Sequence, residues 1–148
     1  VLDAFAGSGA LGFEALSAGA QSVTMIERHA KAVAGLHQSA LQLGVPDDRL
    51  LIIKKSMPVA CRSLPKQHFN VVFLDPPFAS DLYVRSLQAL IESGVLCYPV
   101  YVYTERSVHR PELDWSGALT SLHQMTSCKQ ARAGDVLGNL WLLTLDAS

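Results

Sequence analysis

Val1-Leu2-Asp3-Ala4-Phe5-Ala6-Gly7-Ser8-Gly9-Ala10-Leu11-Gly12 opens the chain as a short apolar strand, a loop of small residues and the start of a helix. Glycines at 7 and 9 let the backbone come close to a ligand. A helix starting near Ala10 turns its unpaired N–H groups and positive dipole end toward the same loop. The stretch reads as a cradle for an anion or a nucleoside. Gly7, Gly9 and Gly12 also match the G-x-G-x-x-G dinucleotide fingerprint, and Glu27 follows about 20 residues beyond Gly7, where that pattern has its ribose-binding acid.

Outward from this opening, strand-length apolar runs alternate with helical periodicity. A helix is expected over 10–18, ended by Gly19, then a strand over 22–27. The next helix, over 30–43, carries Val33, Leu36, Ala40 and Leu41 on one face and Lys31 and Gln38 toward water, and stops at Gly44 before Pro46. A strand over 50–54, a short helix over 58–64 and a strand over 70–74 follow. Asp81 is placed to cap a helix whose apolar face is Tyr83, Leu87, Leu90 and Ile91 and which Gly94 ends. A fifth strand covers 100–104. Beyond the polar, proline-bearing stretch 106–117, strands at 119–127 and 137–145 are joined by 129–135 with no helix between them, which makes an antiparallel hairpin. The pattern specifies a single α/β domain over 1–148: a Rossmann-like, mostly parallel sheet with a C-terminal antiparallel hairpin and helices on both faces. Ligands of such open sheets bind beyond the carboxyl ends of the strands, the rim where Asp3, Glu27 and Asp75 end three strands.

Asp75-Pro76-Pro77-Phe78 directly follows the apolar run Val71-Val72-Phe73-Leu74. The nitrogen of an exocyclic base amine or of a carboxamide is a poor nucleophile, because its lone pair is delocalised into the adjoining π system. Asp75 can accept one N–H of such a group, the Pro76 carbonyl, held by two restricted φ angles, can accept the other, and Phe78 can stack on the ring. A site of this kind works by orientation and electrostatic placement. Asp and Pro are equally common in plain turns, so the tetrapeptide alone decides nothing. Its pairing with the opening stretch favours amine chemistry. Asp3 is unwelcome beside a pyrophosphate but suits a ligand ammonium, and hydride transfer has no use for an amine platform. An NAD-binding oxidoreductase and a non-catalytic nucleoside-binding module remain the readings from other classes.

Asp3-Ala4-Phe5-Ala6-Gly7-Ser8-Gly9 together with Asp75-Pro76-Pro77-Phe78 resembles the first and fourth motifs of the class I S-adenosylmethionine-dependent amino-methyltransferases. The run from Phe5 to Leu16 and Ala133-Gly134-Asp135-Val136 resemble, more narrowly, the bacterial 16S ribosomal RNA guanine-N2 methyltransferases, over most of the chain. The resemblance implies that Asp3, Gly7 and Gly9 line the methionine end of S-adenosylmethionine, with Phe5, Ala6, Ser8, Arg28, Ser56 and Met57 completing its site. It implies that Glu27 binds the ribose hydroxyls and that Asp75, Pro76, Pro77 and Phe78 hold the guanine amine. The implied partner is 16S rRNA within an assembling small ribosomal subunit; the isolated cysteines suit a reducing cytoplasm, and a monomer is the default expectation. Three positions depart from the family pattern: Ser56 stands where an acid near the adenine is common, Tyr103 where an acid is common, and Gly138 where an aromatic is usual. The tetrapeptide geometry also serves N6-adenine or protein-glutamine methylation.

Composition bounds these readings. The chain has 148 residues, long enough to bury about 70% of its unfolded surface. No apolar stretch approaches the roughly 18 residues that span a bilayer. Val1 stands inside the first strand with no Met, so native residues are expected upstream. Lys and Arg number 12 against 13 Asp and Glu. That balance is unusual for a phosphate-binding surface, and the resembling family carries basic RNA-contacting surface in an N-terminal extension. Lys129 and Arg132, in the expected hairpin turn, are candidate phosphate contacts. Trp141 is expected in the core, whereas Trp115 fits either core packing or stacking on a base. Cys61, Cys97 and Cys128 are isolated and the five histidines are scattered, so no metal site is expected.

Overall fold

The computed structural model describes residues 1–77 and 80–146. Chain order is β1 (Leu2–Asp3), α1 (Ala10–Ser17), β2 (Val23–Glu27), α2 (Ala30–Leu43), β3 (Leu50–Lys54), a 3-10 helix (Val59–Ser63), β4 (Phe69–Leu74), α3 (Ser80–Ser93), β5 (Leu96–Ser107), β6 (His123–Ala133) and β7 (Val136–Leu145). The strands form one sheet in the order β3-β2-β1-β4-β5-β7-β6. β1 to β5 pair in parallel, with Leu2 opposite both Thr24 and Val72, and β7 runs antiparallel between β5 and β6. The chain winds outward from β1 to one edge, returns and continues from β4 to the other. The reversal falls between β1 and β4, at the carboxyl ends of which Asp3 and Asp75 stand.

The sheet buries both faces because alternate residues of its strands are apolar on each side. On one side Val23 and Met25 of β2 pack with Leu16 of α1 and Leu36 of α2. On the other, Leu2, Ile26, Val72, Leu74, Val100 and Val102 pack beneath Leu87 and Leu90 of α3 and Ala60 and Cys61 of the 3-10 helix. The entry into α1 depends on Gly9, its N-cap residue, at φ 83°. A Cβ there would meet the Phe13 ring at 2.5 Å and Leu36 at 2.6 Å, so the loop can turn tightly over the helix only without a side chain.

Several expectations are corrected. Leu41 is 83% exposed and does not share the buried face of Leu36. Asp81 lies inside the first turn of α3, where it faces Arg85 at 3.6 Å. β5 is twelve residues long, because its start pairs with Phe69 and its end continues along β7 as far as Ser107 opposite Val136. The hairpin is also longer and its turn tighter: β6 starts at His123, where a turn holds Thr120 Oγ1 2.8 Å from His123 Nδ1, and runs through Lys129 and Arg132 to Ala133. Its pairing with β7 persists across the irregularity between Ser127 and Lys129, and cross-strand hydrogen bonds outweigh the polar composition of 129–133. Trp115 is 5% exposed, its ring edge-on to Trp141 at 5.6 Å between centroids. Core packing is therefore its role, and Trp141 Nε1–H donates to Thr104 Oγ1 at 3.0 Å.

Candidate active site

Two cavities, each of about 670 Å³, open side by side beyond the carboxyl ends of the parallel strands. The first is walled by the loop from Asp3 to Leu11, by Glu27, Arg28 and His29 after β2, and by Lys55, Ser56 and Met57 after β3. Asp75, Pro76 and Pro77 close it on the β4 side. Thirteen of the fourteen residues expected to form the site fall in described positions, and twelve of these line this one cavity. The thirteenth, Gly9, lies buried behind the wall, where its missing side chain sets the loop's shape. Phe78 lies outside the described residues.

The acids of this rim are held differently. Asp3 is 3% exposed and its Oδ2 accepts the Gly12 N–H at 3.1 Å, which ties the end of β1 to the first turn of α1. Burial raises its carboxyl to about 6, and the nearby Asp75 and Glu27 push the same way against the pull of that hydrogen bond. Glu27 is half-buried. Its Oε1 accepts the Gly7 N–H at 3.3 Å and its Oε2 the His29 N–H at 2.8 Å, so the side chain is fixed across the cavity mouth. Arg28 is exposed, its Nε 3.2 Å from His29 Nε2.

The second cavity lies between the start of α3 and the segment after β5, lined by Tyr83, Val84, Arg106, Arg110, Leu113 and Asp114 among others. Asp75, Pro76 and Glu105 line both cavities and thus form the partition between them. Asp75 is raised to about 6, first by burial and then by the negative charge of Glu105. Glu105 is gripped from both sides: Tyr103 Oη donates to its Oε1 at 2.9 Å, and the Tyr83 hydroxyl donates to its backbone carbonyl. Sequence reading did not single out Glu105. Its signal was available, since it lies close to the end of β5 on the same rim as the other acids, but the expected strand stopped one residue short of it.

A cavity walled by a glycine loop and a strand-end acid, abutting a second cavity across Asp75-Pro76, on a sheet of order 3-2-1-4-5-7-6, defines the class I methyltransferase architecture. Residues 1–134 match the family described as conserved hypothetical protein 95, and the chain belongs to it. It is 36% identical over 111 residues to a ribosomal RNA small subunit methyltransferase D of Haemophilus influenzae, covering 74% of this chain and 58% of that protein. The corresponding Escherichia coli K12 protein is 35% identical over 107 residues, covering 72% of this chain and 52% of that one. The chain thus spans little more than half the length of these relatives. A solved structure of a methylase candidate from Haemophilus influenzae superposes with a TM-score of 0.78 at 32% identity, covering 95% of this chain and 84% of that one.

Proposed function

We propose that this chain is the catalytic domain of a methyltransferase that moves the methyl group of S-adenosylmethionine to the exocyclic N2 amine of a guanine in 16S rRNA. The observation that carries the reading is the shared wall: Asp75 and Pro76 stand between a nucleoside-sized cavity and a second one opening beside it.

The first cavity suits S-adenosylmethionine in its acceptors and its space. A Cβ on Gly7 would meet nothing within 4 Å, so the backbone there fronts open volume that a ligand can fill. Glu27 is positioned to exchange its backbone contacts for ribose hydroxyls, Asp3 presents negative charge toward the methionine ammonium, and Met57, with Ser56 and Arg28, flanks the adenine end. When bound, S-adenosylmethionine would supply an electrophilic methyl carbon on its sulfonium, and the sulfur would keep the bond's electron pair when that carbon is transferred to nitrogen. Asp75 and the Pro76 carbonyl accept the two amine N–H groups and aim the nitrogen lone pair across the partition. The proton shed by the alkylated amine passes to Asp75 or to water. With its carboxyl near 6, Asp75 is ionised at neutral pH yet basic enough to receive it.

Arg106 and Arg110 at the second cavity, with Lys129 and Arg132 along β6, supply positive charge for RNA phosphates. The reading places the protein in the cytoplasm as a monomer acting on an assembling small subunit. The test is transfer of tritiated methyl to under-modified 16S rRNA and small-subunit particles, with the labelled nucleotide mapped. Label on an adenine, or on protein, replaces the guanine reading with one of its amino-methyltransferase alternatives. Calorimetric binding of NAD in place of S-adenosylhomocysteine removes the methyltransferase reading altogether.

A further inference from the structure

We propose that the second cavity is the acceptor-base pocket and that Glu105, held by Tyr103 in space left by Gly138, selects guanine by accepting its N1–H. The inference rests on the guanine reading above and adds to it the residue that reads the base.

The two family departures at 103 and 138 are one feature of the fold. Gly138 pairs with Glu105 across β5 and β7, and Tyr103, two residues before Glu105 on the same sheet face, lies diagonally over Gly138. A Cβ on Gly138 would sit 2.6 Å from Tyr103 Oη and 3.3 Å from its ring. The tyrosine can therefore lie flat across the strand only because position 138 has no side chain. Phe73, its neighbour on β4, meets the ring edge-on at 6.2 Å and fixes its other side. In this position the hydroxyl reaches Glu105 Oε1 at 2.9 Å. Among the described residues, Oε2 takes no hydrogen bond, and Glu105 lines the second cavity beside Asp75 and Pro76.

The partition thus brings together three residues that carry acceptors, the carboxylates of Asp75 and Glu105 and the carbonyl of Pro76, all lining the second cavity. Guanine has three donors along one edge, two on N2 and one on N1. Adenine and cytosine have an amine beside a ring nitrogen that is itself an acceptor, so Glu105 would meet a lone pair there. A glutamine side-chain amide has no third donor. Leaving buried acceptors unpaired, or facing another acceptor, is the form of mismatch that discriminates most strongly. Guanine is the common base whose edge matches this wall.

The experiment compares RNA carrying the mapped target guanine with RNA carrying 2,6-diaminopurine in its place, which keeps the 2-amine but turns N1 into an acceptor. The RNA is used free or in reconstituted particles, whichever the parent chain methylates. The parent chain should prefer guanine strongly. Glu105→Gln should reduce the guanine-to-diaminopurine ratio of kcat/KM by about 10-fold or more, because Tyr103 holds the amide oxygen and leaves the amide N–H groups facing N1. Tyr103→Phe, which keeps the ring and removes only the positioning hydroxyl, should reduce the ratio by roughly 3-fold while guanine is still methylated. A general loss of fold lowers both substrates together and cannot move the ratio. An unmoved ratio in either variant, with the parent methylating guanine, overturns the role of Glu105 alone. Failure of the parent to methylate guanine at all overturns the functional reading and this pocket's occupant with it.

Discussion

Eight residues between Asp3 and Leu11, all from one unbroken segment, wall the first cavity, the proposed donor side, whereas the second, the proposed acceptor side, draws its wall from the end of β4, the start of α3, the end of β5, the segment after it and Val136 of β7. The donor side is local: a glycine loop and the helix it feeds carry most of the geometry within ten residues of chain. The acceptor side exists only once β7 has been inserted between β5 and β6 and the polar segment from Arg106 onward has folded back on the hairpin, with Val108 N–H donating to the Asp135 carbonyl at 2.9 Å. Local construction makes a site tolerant of distant change and intolerant of change within the loop. Dispersed construction does the opposite, since each contributing element is secured by packing far from the chemistry.

The partition between the two sides is where a substitution should cost most. Asp75→Ala should leave S-adenosylhomocysteine affinity near that of the parent and lower methyl transfer on the order of 100-fold or more, read as kcat on mapped rRNA. Full activity in that variant would sink the amine-holding role. Within the donor loop, Gly9→Ala adds a methyl group at a left-handed φ against Phe13 and Leu36 and should cost about 2–4 kcal/mol in urea unfolding, with cofactor affinity lost in parallel. A loop that keeps its cofactor affinity through that change would contradict the local construction of the donor side.

On the acceptor side the two tryptophans separate packing from hydrogen bonding. Trp141→Phe leaves the buried Thr104 hydroxyl unpaired and should cost about 1–2 kcal/mol. Trp115 Nε1 is buried without a partner among the described residues, so Trp115→Phe should cost less than about 1 kcal/mol. Equal costs would mean that the indole nitrogen of Trp141 contributes nothing beyond its ring.

The smallest effect is a matter of pH. Because burial and Glu105 raise Asp75 to about 6, its contribution to stability is present below the unfolded carboxyl range and lost as pH rises through about 6. Asp75→Asn should therefore raise Tm by about 2 °C at pH 7.5 and lose that advantage near pH 4.5, in differential scanning fluorimetry. Methyl transfer by the parent chain should move oppositely, falling as pH drops below about 6 and Asp75 takes up its proton. A Tm advantage that persists in acid would assign the gain to something other than the carboxylate.

Legibility in the sequence followed the same division. Asp3, Gly7 and Glu27 were readable because a strand, a glycine turn and a helix start are short-range patterns, and the structure draws them to one rim. Asp75-Pro76-Pro77 was readable because prolines fix the backbone locally. Glu105 was not, because the polar residues that end β5 look like loop until β7 supplies their hydrogen bonds out to Ser107. Lys129 and Arg132 were read as turn residues for the same reason, although pairing with β7 holds them in strand.

By itself the sequence determined an α/β sheet, a glycine loop after its first strand and a proline-restricted turn after its fourth, since each depends on periodicity and backbone restriction over a few residues. Only the tertiary structure decided which acids share a wall, why a glycine at 138 and a tyrosine at 103 belong together, and where the second cavity opens. Those relations join residues 30 or more positions apart through sheet register. Register is set by the burial of whole strand faces, and no local stretch of chain carries that information.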